Sequence, residues 1–186
     1  IICKEIIEPT IDELIKRKIE YKGVLYFGLM ITKSGPKVIE YNCRFGDPEC
    51  QTIMPLMDTN FVNILHKCAK GKLDGDEEIL SASKVSGCVI AASKGYPEVY
   101  DVGLPITFNY ENCEDIQIFH SGTSVNEKGK ITTNGGRVLS VVCQGKDFDS
   151  AFNMAYKVLK GINFDGIYYR RDIGHQVREN FSYEDI

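Results

Sequence analysis

The sequence predicts an α+β chain in two parts that divide near residue 80. Up to that point the spacing of apolar residues and the turn clusters indicate a helix, a strand hairpin and further helix. A polar, acidic segment at Lys72–Ser83 follows. Beyond it come short strand patterns separated by turns, with one helix near the end. Such segregation of strands and helices is typical of α+β proteins.

The first element is predicted to be a helix that starts at Pro9. Acidic residues directly after Pro9 favour a first helical turn through the helix dipole, and an apolar stripe continues until the break at Gly23. The members of the stripe are Ile11, Leu14, Ile15 and Ile19.

A hairpin is predicted next. Val24–Ile31 is a continuous apolar run, which predicts a strand that is buried on both faces. The cluster Lys33–Pro36 predicts a turn, and Lys37–Asn42 alternates with the period of a strand. Two helix patterns close the first part. The one at Cys50–Met57 is short, and Asp58 is expected to cap a longer one that ends at Gly71.

The second part is predicted to be mainly β. A single helix at Phe148–Leu159 has one apolar side, formed by Ala151, Phe152, Ala155, Val158 and Leu159. The predicted strands are Val85–Ala92, Asp115–Phe119, Lys130–Thr133 and Arg137–Gln144. The predicted domains are residues 1–80 and 81–180, followed by a tail or linker at 181–186.

The composition argues against two classes of partner. The 186 residues contain 22 Lys and Arg against 26 Asp and Glu, which gives a net charge of −4, whereas nucleic-acid binders carry a basic surplus. No apolar run reaches the roughly 18 residues that a membrane span requires. We therefore expect neither nucleic acid nor a membrane as a partner.

The cysteines indicate the cellular compartment. There are seven, scattered through apolar stretches, and no two have the CxxC spacing of a zinc or redox motif. This predicts reduced thiols, most of them acting as small core residues, in a cytoplasmic protein.

The segment from Glu40 to Glu49 carries the densest set of polar functional groups. Strand alternation puts Glu40, Asn42 and Arg44 on one face. A carboxylate and an amide oxygen suit Mg²⁺, which often shares its ligands with phosphates, and an arginine beside them neutralises a bound anion. A solvated sheet edge with Arg44 paired to Asp47 or Glu49 fits the same pattern equally well. The common phosphate-binding patterns GxxxxGK[ST] and GxGxxG are absent.

Several blocks, in order along most of the chain, resemble the phosphoribosylamine–glycine ligase (glycinamide ribonucleotide synthetase) family of the ATP-grasp superfamily. The most specific is the N-C-R-F-G-D-P-E run that ends at Glu49. The full set is Lys22–Met30, Lys33–Pro36, Val38–Glu49, Ser93–Pro97, His120–Thr123, Gly135–Leu139 and Phe164–Gly174. The resemblance implies the C-terminal part of an ATP-grasp core, followed by a small, mainly antiparallel β domain with a packed helix.

The resemblance also implies an activity and a set of site residues. ATP phosphorylates the carboxylate of glycine, and the amine of 5-phosphoribosylamine attacks the acyl phosphate to give glycinamide ribonucleotide. Glu40 and Asn42 then hold Mg²⁺ or Mn²⁺. Arg44 faces the reacting phosphoryl or carboxylate oxygens, and Asp47 and Glu49 lie where the amine arrives.

The resemblance implies a ligand for one further turn, Asn134–Arg137. Glycines allow backbone N–H groups to approach an anion, and Arg137 is suited to grip the ribose phosphate of 5-phosphoribosylamine. Lys94, in its own Gly-Pro turn, is a second candidate for the same phosphate. A plain hairpin turn with a surface arginine explains the same residues without a ligand.

The family has further parts that this sequence lacks, namely an N-terminal domain and the lobe that covers the ATP phosphates. The chain alone is therefore expected to be inactive, with the rest of the ligase as its partner. Eukaryotic members are often fused to other purine-synthesis domains, and Ser182–Glu184 fits the start of such a linker. The alternatives are another ATP-grasp carboxylate–amine ligase or carboxylase, which the G-D-P-E continuation disfavours, and a non-catalytic module, which has no need of Glu40, Asn42 and Arg44.

Overall fold

The computed structural model describes residues 1–73, 75 and 83–179, so most of the predicted boundary segment and the whole predicted tail lie outside the described residues. The α-helices are α1 (Glu8–Lys16), α2 (Glu49–Ile53), α3 (Phe61–Ala69) and α4 (Phe148–Lys160). The strands are β1 (Tyr26–Thr32), β2 (Gly35–Asn42), β3 (Val85–Ser93), β4 (Thr107–Phe108), β5 (Ile116–His120), β6 (Thr123–Val125), β7 (Ile131–Thr133), β8 (Arg137–Gly145), β9 (Ile162–Asn163) and β10 (Ile167–Tyr168).

The contacts divide the chain into two units. The first unit consists of Ile1–Asp47 and Thr59–Ile79, and the second of Pro48–Asp58 and Leu80–Ile186. The α+β class is confirmed. The domain bounds 1–80, 81–180 and 181–186 stay a prediction.

The first helix begins earlier and ends earlier than predicted. A π-helical turn, Cys3–Ile7, precedes α1, and Glu8 N–H bonds back to the carbonyl of Cys3, so that helical structure continues up to Pro9, which has no N–H of its own. Lys18 adopts a φ of +58°, and the N–H of Ile19 bonds to the carbonyl of Leu14 at 2.9 Å. This left-handed cap ends the helix before Ile19.

The predicted hairpin is present, but its first strand is not buried on both faces. β1 pairs with β2 in a two-stranded antiparallel sheet. Among the residues of β1, only Gly28 is buried. Met30 and Ile31 are 54% and 68% exposed. The burial prediction was wrong because burial depends on the layers that pack on a strand, and β2 is the only strand paired with β1 in the described chain.

The longer of the two helices predicted after the hairpin, α3, is capped by Asn60 and not by Asp58. The Asn60 side chain accepts a hydrogen bond from the N–H of Asn63 at 3.1 Å, as an N-cap residue does. At the other end Gly71 has a φ of +61°, and its N–H bonds to the carbonyl of Cys68. Gly71 therefore closes α3 as predicted.

The second unit is built on a four-stranded antiparallel sheet with the order β10-β3-β8-β5. The central strand β8 is buried from Val138 to Cys143, and α4 packs on β3 and β8. The five apolar residues predicted for the inner side of α4 are all buried. Asp147 and Ser150 form a capping box at the start of α4, and the hydrogen bond from Ser150 lowers the pKa of Asp147.

The prediction that most cysteines lie in the core was wrong. All seven are free thiols, but only Cys143 is buried, whereas Cys3, Cys43 and Cys113 are exposed. Burial raises the pKa of the Cys143 thiol to about 12. None of the helices in the described part of the chain combines the length and apolar character needed to cross a bilayer.

Candidate functional site

The polar segment starts at the end of β2, where Glu40 and Asn42 lie side by side. Antiparallel pairing sets Glu40 opposite Gly28 and Asn42 opposite Tyr26. The amide nitrogen of Asn42 donates a hydrogen bond to Glu40 Oε1 at 3.1 Å, which agrees with the shared face that strand alternation predicts. The bond leaves the amide oxygen of Asn42 available as an acceptor, beside a carboxylate that is exposed.

Arg44 does not continue this row of side chains. β2 ends at Asn42, and Arg44 lies in a bend, so the alternation used to place it beside Glu40 and Asn42 does not extend to it. Its guanidinium Nη1 donates to the carbonyl of Phe45 at 3.0 Å, and the side chain is exposed. The shared face that was predicted for all three residues therefore holds for two of them.

The remaining acids of the segment belong to different units. Asp47 is exposed and closes the first stretch of the first unit, whereas Glu49 is half-buried at the first position of α2, in the second unit. Within the first unit, the ring of Phe45 packs edge-to-face on Phe61 of α3 with 5.6 Å between centroids. This contact holds the loop that contains Arg44 against α3.

A tyrosine lies beside the same loop. The Tyr21 hydroxyl donates to the carbonyl of Val24 at 2.6 Å and lies near Cys43, the residue between Asn42 and Arg44. Partial burial raises the pKa of Tyr21, and the neighbouring Cys43 thiol adds to the rise. The hydrogen bond from Tyr21 to Val24 stabilises the turn that leads into β1.

The donor set fits a cation that takes part of its coordination from a substrate. Among residues 1–73, 75 and 83–179, no cluster of three or more His, Cys, Asp or Glu is suited to hold a metal ion. Glu40 and Asn42 offer a carboxylate and an amide oxygen, which are hard ligands. Mg²⁺ commonly binds through one or two carboxylates together with substrate phosphates and water, so two protein donors suffice.

In the second unit, Lys94 and Arg137 lie at the same end of neighbouring strands. Arg137 opens β8 and pairs with Ala92 of β3, and Lys94 follows the last residue of β3. The N–H of Ser93 bonds to the carbonyl of Gly136 at 2.8 Å, which ties the two turns together. Arg137 is half-buried and Lys94 is exposed.

The glycines of this turn have a packing role that needs no ligand. A Cβ at Gly136 would collide with the ring of Tyr96, and one at Gly135 would lie 3.0 Å from Cα of Gly122. Neither glycine has a positive φ. Close packing of three loops therefore explains both residues, and an anion at this turn depends on the side chains of Arg137 and Lys94.

One feature of the site was missed by the sequence reasoning. Gly28 lies opposite Glu40, whereas the sequence pattern marks it only as a member of an apolar run. A glycine in the interior of a strand pattern is itself a signal, because it often marks a bulge or a close approach.

Comparison with known proteins gives two family matches. Residues 1–50 match the model described as phosphoribosylglycinamide synthetase, ATP-grasp (A) domain, and residues 86–176 match phosphoribosylglycinamide synthetase, C domain. Among relatives, the chain is 46% identical over 175 residues to phosphoribosylamine–glycine ligase of Synechocystis, covering 93% of this chain and 42% of the relative. It is 43% identical to the trifunctional purine biosynthetic protein adenosine-3 of Gallus gallus, covering 94% of this chain and 17% of that protein.

Solved structures agree with these matches. The crystal structure of phosphoribosylamine–glycine ligase from Thermotoga maritima superposes with a TM-score of 0.79 at 34% identity, over 91% of this chain and 41% of that one. The biotin carboxylase domain of 2-oxoglutarate carboxylase from Hydrogenobacter thermophilus gives a TM-score of 0.58 at 15% identity, over 87% and 36%, which shows a shared fold alone. The chain spans about two fifths of the length of the ligases that it matches.

Proposed function

This chain belongs to the phosphoribosylglycinamide synthetase family, and from that premise we propose that it forms the C-terminal part of an ATP-dependent ligase that joins glycine to 5-phosphoribosylamine. The γ-phosphoryl group of ATP passes to the glycine carboxylate, giving glycyl phosphate and ADP. The amine of 5-phosphoribosylamine then attacks the acyl carbon, and phosphate leaves as glycinamide ribonucleotide forms.

The observation that carries this proposal is the pairing of Glu40 with Asn42 within the block that matches the ATP-grasp domain. These two side chains hold a divalent cation, Mg²⁺ or Mn²⁺. When bound, the cation neutralises phosphate charge during phosphoryl transfer. The amide of Asn42 orients the carboxylate of Glu40, so the pair presents its oxygens in a fixed arrangement.

The other charged groups of the reaction interact with Arg44 and with two acidic residues that follow it, Asp47 and Glu49. The exposed guanidinium of Arg44, on a loop that Phe45 anchors, stabilises negative charge on the reacting phosphoryl or carboxylate oxygens. Asp47 and Glu49 attract the amine or ammonium group of a substrate. Their assignment rests on the family pattern alone.

The ligase is a cytoplasmic enzyme. In some proteins it is fused to other purine-synthesis domains. Seven free thiols support a reducing compartment, and the relative from Gallus gallus is a trifunctional purine biosynthetic protein.

The test is a steady-state assay of the complete ligase that contains this chain. ADP release is expected to require glycine and 5-phosphoribosylamine together with ATP and Mg²⁺. ADP release that needs bicarbonate in place of glycine would identify a carboxylase instead. A complete protein that releases no ADP with any of these substrates would be a non-catalytic relative.

Arg137 binds the ribose phosphate of 5-phosphoribosylamine, with Lys94 as a weaker second contact. Both cations lie at one end of β3 and β8, and a guanidinium forms two parallel hydrogen bonds with a phosphate. Arg137→Ala in the complete ligase is expected to raise the KM for 5-phosphoribosylamine roughly tenfold to a hundredfold, since one charge-assisted contact is worth about 1.5–3 kcal/mol.

The KM values for ATP and glycine are the internal comparison for that variant and are expected to change little. Lys128→Ala, which removes a positive charge from an exposed turn of the same unit, is the matched control. An unchanged KM for 5-phosphoribosylamine in Arg137→Ala would return Arg137 to the role of a surface residue.

A further inference from the structure

We propose that Gly28, together with a β-bulge at Ile39, positions the carboxylate of Glu40. Gly28 is thus a positioning residue that touches no substrate itself. The inference rests on the proposed role of Glu40 and Asn42 as ligands of a divalent cation.

The bulge decides which face of the hairpin carries Glu40. From the turn outward the two strands pair residue for residue as far as Leu29 with Val38. The next pair is Gly28 with Glu40, so Ile39 is an extra residue in β2. With one-for-one pairing, Glu40 would lie opposite Phe27, and its side chain would point to the other face. A bulge of this kind re-aims the side chains beyond it.

The other face is occupied. Phe27 and Tyr41 form an edge-to-face ring pair with 5.3 Å between centroids, and the Tyr41 hydroxyl lies 3.4 Å from Oγ1 of Thr10 in α1. Because alternate residues point to opposite faces, Glu40 and Asn42 point away from this aromatic pair. The bulge therefore separates the polar pair from the side of the hairpin that contacts the helix.

Gly28 provides the space that Glu40 needs on its own face. A Cβ built on Gly28 would lie 2.8 Å from Cγ of Glu40, which is too close for two carbon atoms. The position of Cγ is set by χ1, so Glu40 can relieve the contact only by changing rotamer or by moving the strand. Either movement shifts the carboxylate relative to the amide of Asn42, to which it is hydrogen-bonded at 3.1 Å.

The φ angle of this position does not itself require a glycine. Gly28 is not among the glycines with a positive φ, so its backbone conformation is open to any residue. A glycine in the interior of a strand weakens the strand, because glycine loses more backbone entropy on folding than other residues and has no side chain to pack. The close approach of Glu40 Cγ is what distinguishes this position.

The test is a double-mutant cycle in the complete ligase with Gly28→Ala and Glu40→Ala. Gly28→Ala alone is expected to raise the half-saturating Mg²⁺ concentration at least tenfold, and to lower kcat by up to roughly 100-fold, the scale of a displacement of about 1 Å in a site. The KM for 5-phosphoribosylamine and the melting temperature should remain near those of the wild type. Met30→Ala, on the same strand with an exposed side chain, is the matched control.

In the Glu40→Ala background the Cγ is absent, so adding Gly28→Ala should cause no further loss. The electron paramagnetic resonance spectrum of Mn²⁺ bound with ATP should likewise change in each single variant and be the same in Glu40→Ala and in the double variant. Losses that multiply in the double variant would show general damage to the strand and would overturn the proposal.

The cycle separates this inference from the proposed function. If Glu40→Ala leaves the Mg²⁺ dependence unchanged, the metal assignment fails, and the positioning role fails with it. If Glu40→Ala abolishes metal binding while Gly28→Ala behaves as wild type, only the positioning role is overturned. Should Gly28→Ala fail to fold, the double variant is expected to fold, and its failure to do so would contradict the proposal.

Discussion

Glu40→Gln in the complete ligase is expected to lower kcat roughly 100-fold or more, while the melting temperature stays close to that of the wild type. The amide keeps the size of the side chain but removes the negative charge that holds the cation. Metal-assisted charge stabilisation is worth several kcal/mol, and each ~1.4 kcal/mol is a factor of ten in rate. Because Glu40 is exposed, removing its charge is expected to change the free energy of unfolding very little.

The measurement is kcat over a Mg²⁺ titration, together with a thermal unfolding curve. Glu8→Gln is the matched control, because it makes the same chemical change at an exposed position of α1 in the same unit. Near-normal turnover of Glu40→Gln across the titration would contradict the assignment of the metal to this side chain.

The 186-residue chain alone is expected to show no glycine-dependent ATP turnover above background. Its match to the ATP-grasp domain covers residues 1–50 only, and in the described chain Glu40 and Arg44 are open to solvent. Phosphoryl transfer to a carboxylate needs a closed site that excludes water and orients the nucleotide. We therefore expect very weak nucleotide binding and no product.

Two assays check this expectation, one with the purified chain and one after joining it to the preceding domains of a related ligase. Activity that appears only in the joined protein would support the view that this chain needs the preceding domains for ATP turnover. Clear product formation by the isolated chain would show that the nucleotide site has been assigned to the wrong part of the protein.

The elements with long periodic patterns could be predicted from the sequence almost completely. The inner side of α4 was predicted residue by residue, because five apolar positions at helical spacing leave a single face to bury. The strand at Arg137–Gln144 was found for a similar reason: it is a long apolar run between turn residues, and the structure extends it by one residue to Gly145. The short strands β4, β6, β9 and β10 were missed, since two or three residues are too few to show a period, whereas the equally short β7 was found because turn residues flank it on both sides.

Features that depend on local backbone geometry or on pairing between strands could not be predicted in this way. The capping residue of α3 is one case, since Asp58 and Asn60 are both good caps and only the backbone geometry selects Asn60. The bulge at Ile39 is a second case, because it exists only in the register between β1 and β2. The sequence therefore predicts that Glu40 and Asn42 are polar and share a face, whereas the hairpin register decides that Glu40 lies opposite Gly28, on the face away from Phe27 and Tyr41.

The most direct measurement follows an isotope from glycine into phosphate. The complete ligase is incubated with ATP, 5-phosphoribosylamine and glycine that carries ¹⁸O in both carboxylate oxygens, and the products are analysed by mass spectrometry. A route through glycyl phosphate predicts one ¹⁸O atom in each inorganic phosphate and one in each glycinamide ribonucleotide, because the carboxylate oxygen that accepts the phosphoryl group leaves with it. Inorganic phosphate without ¹⁸O, or no glycinamide ribonucleotide at all, would contradict the account.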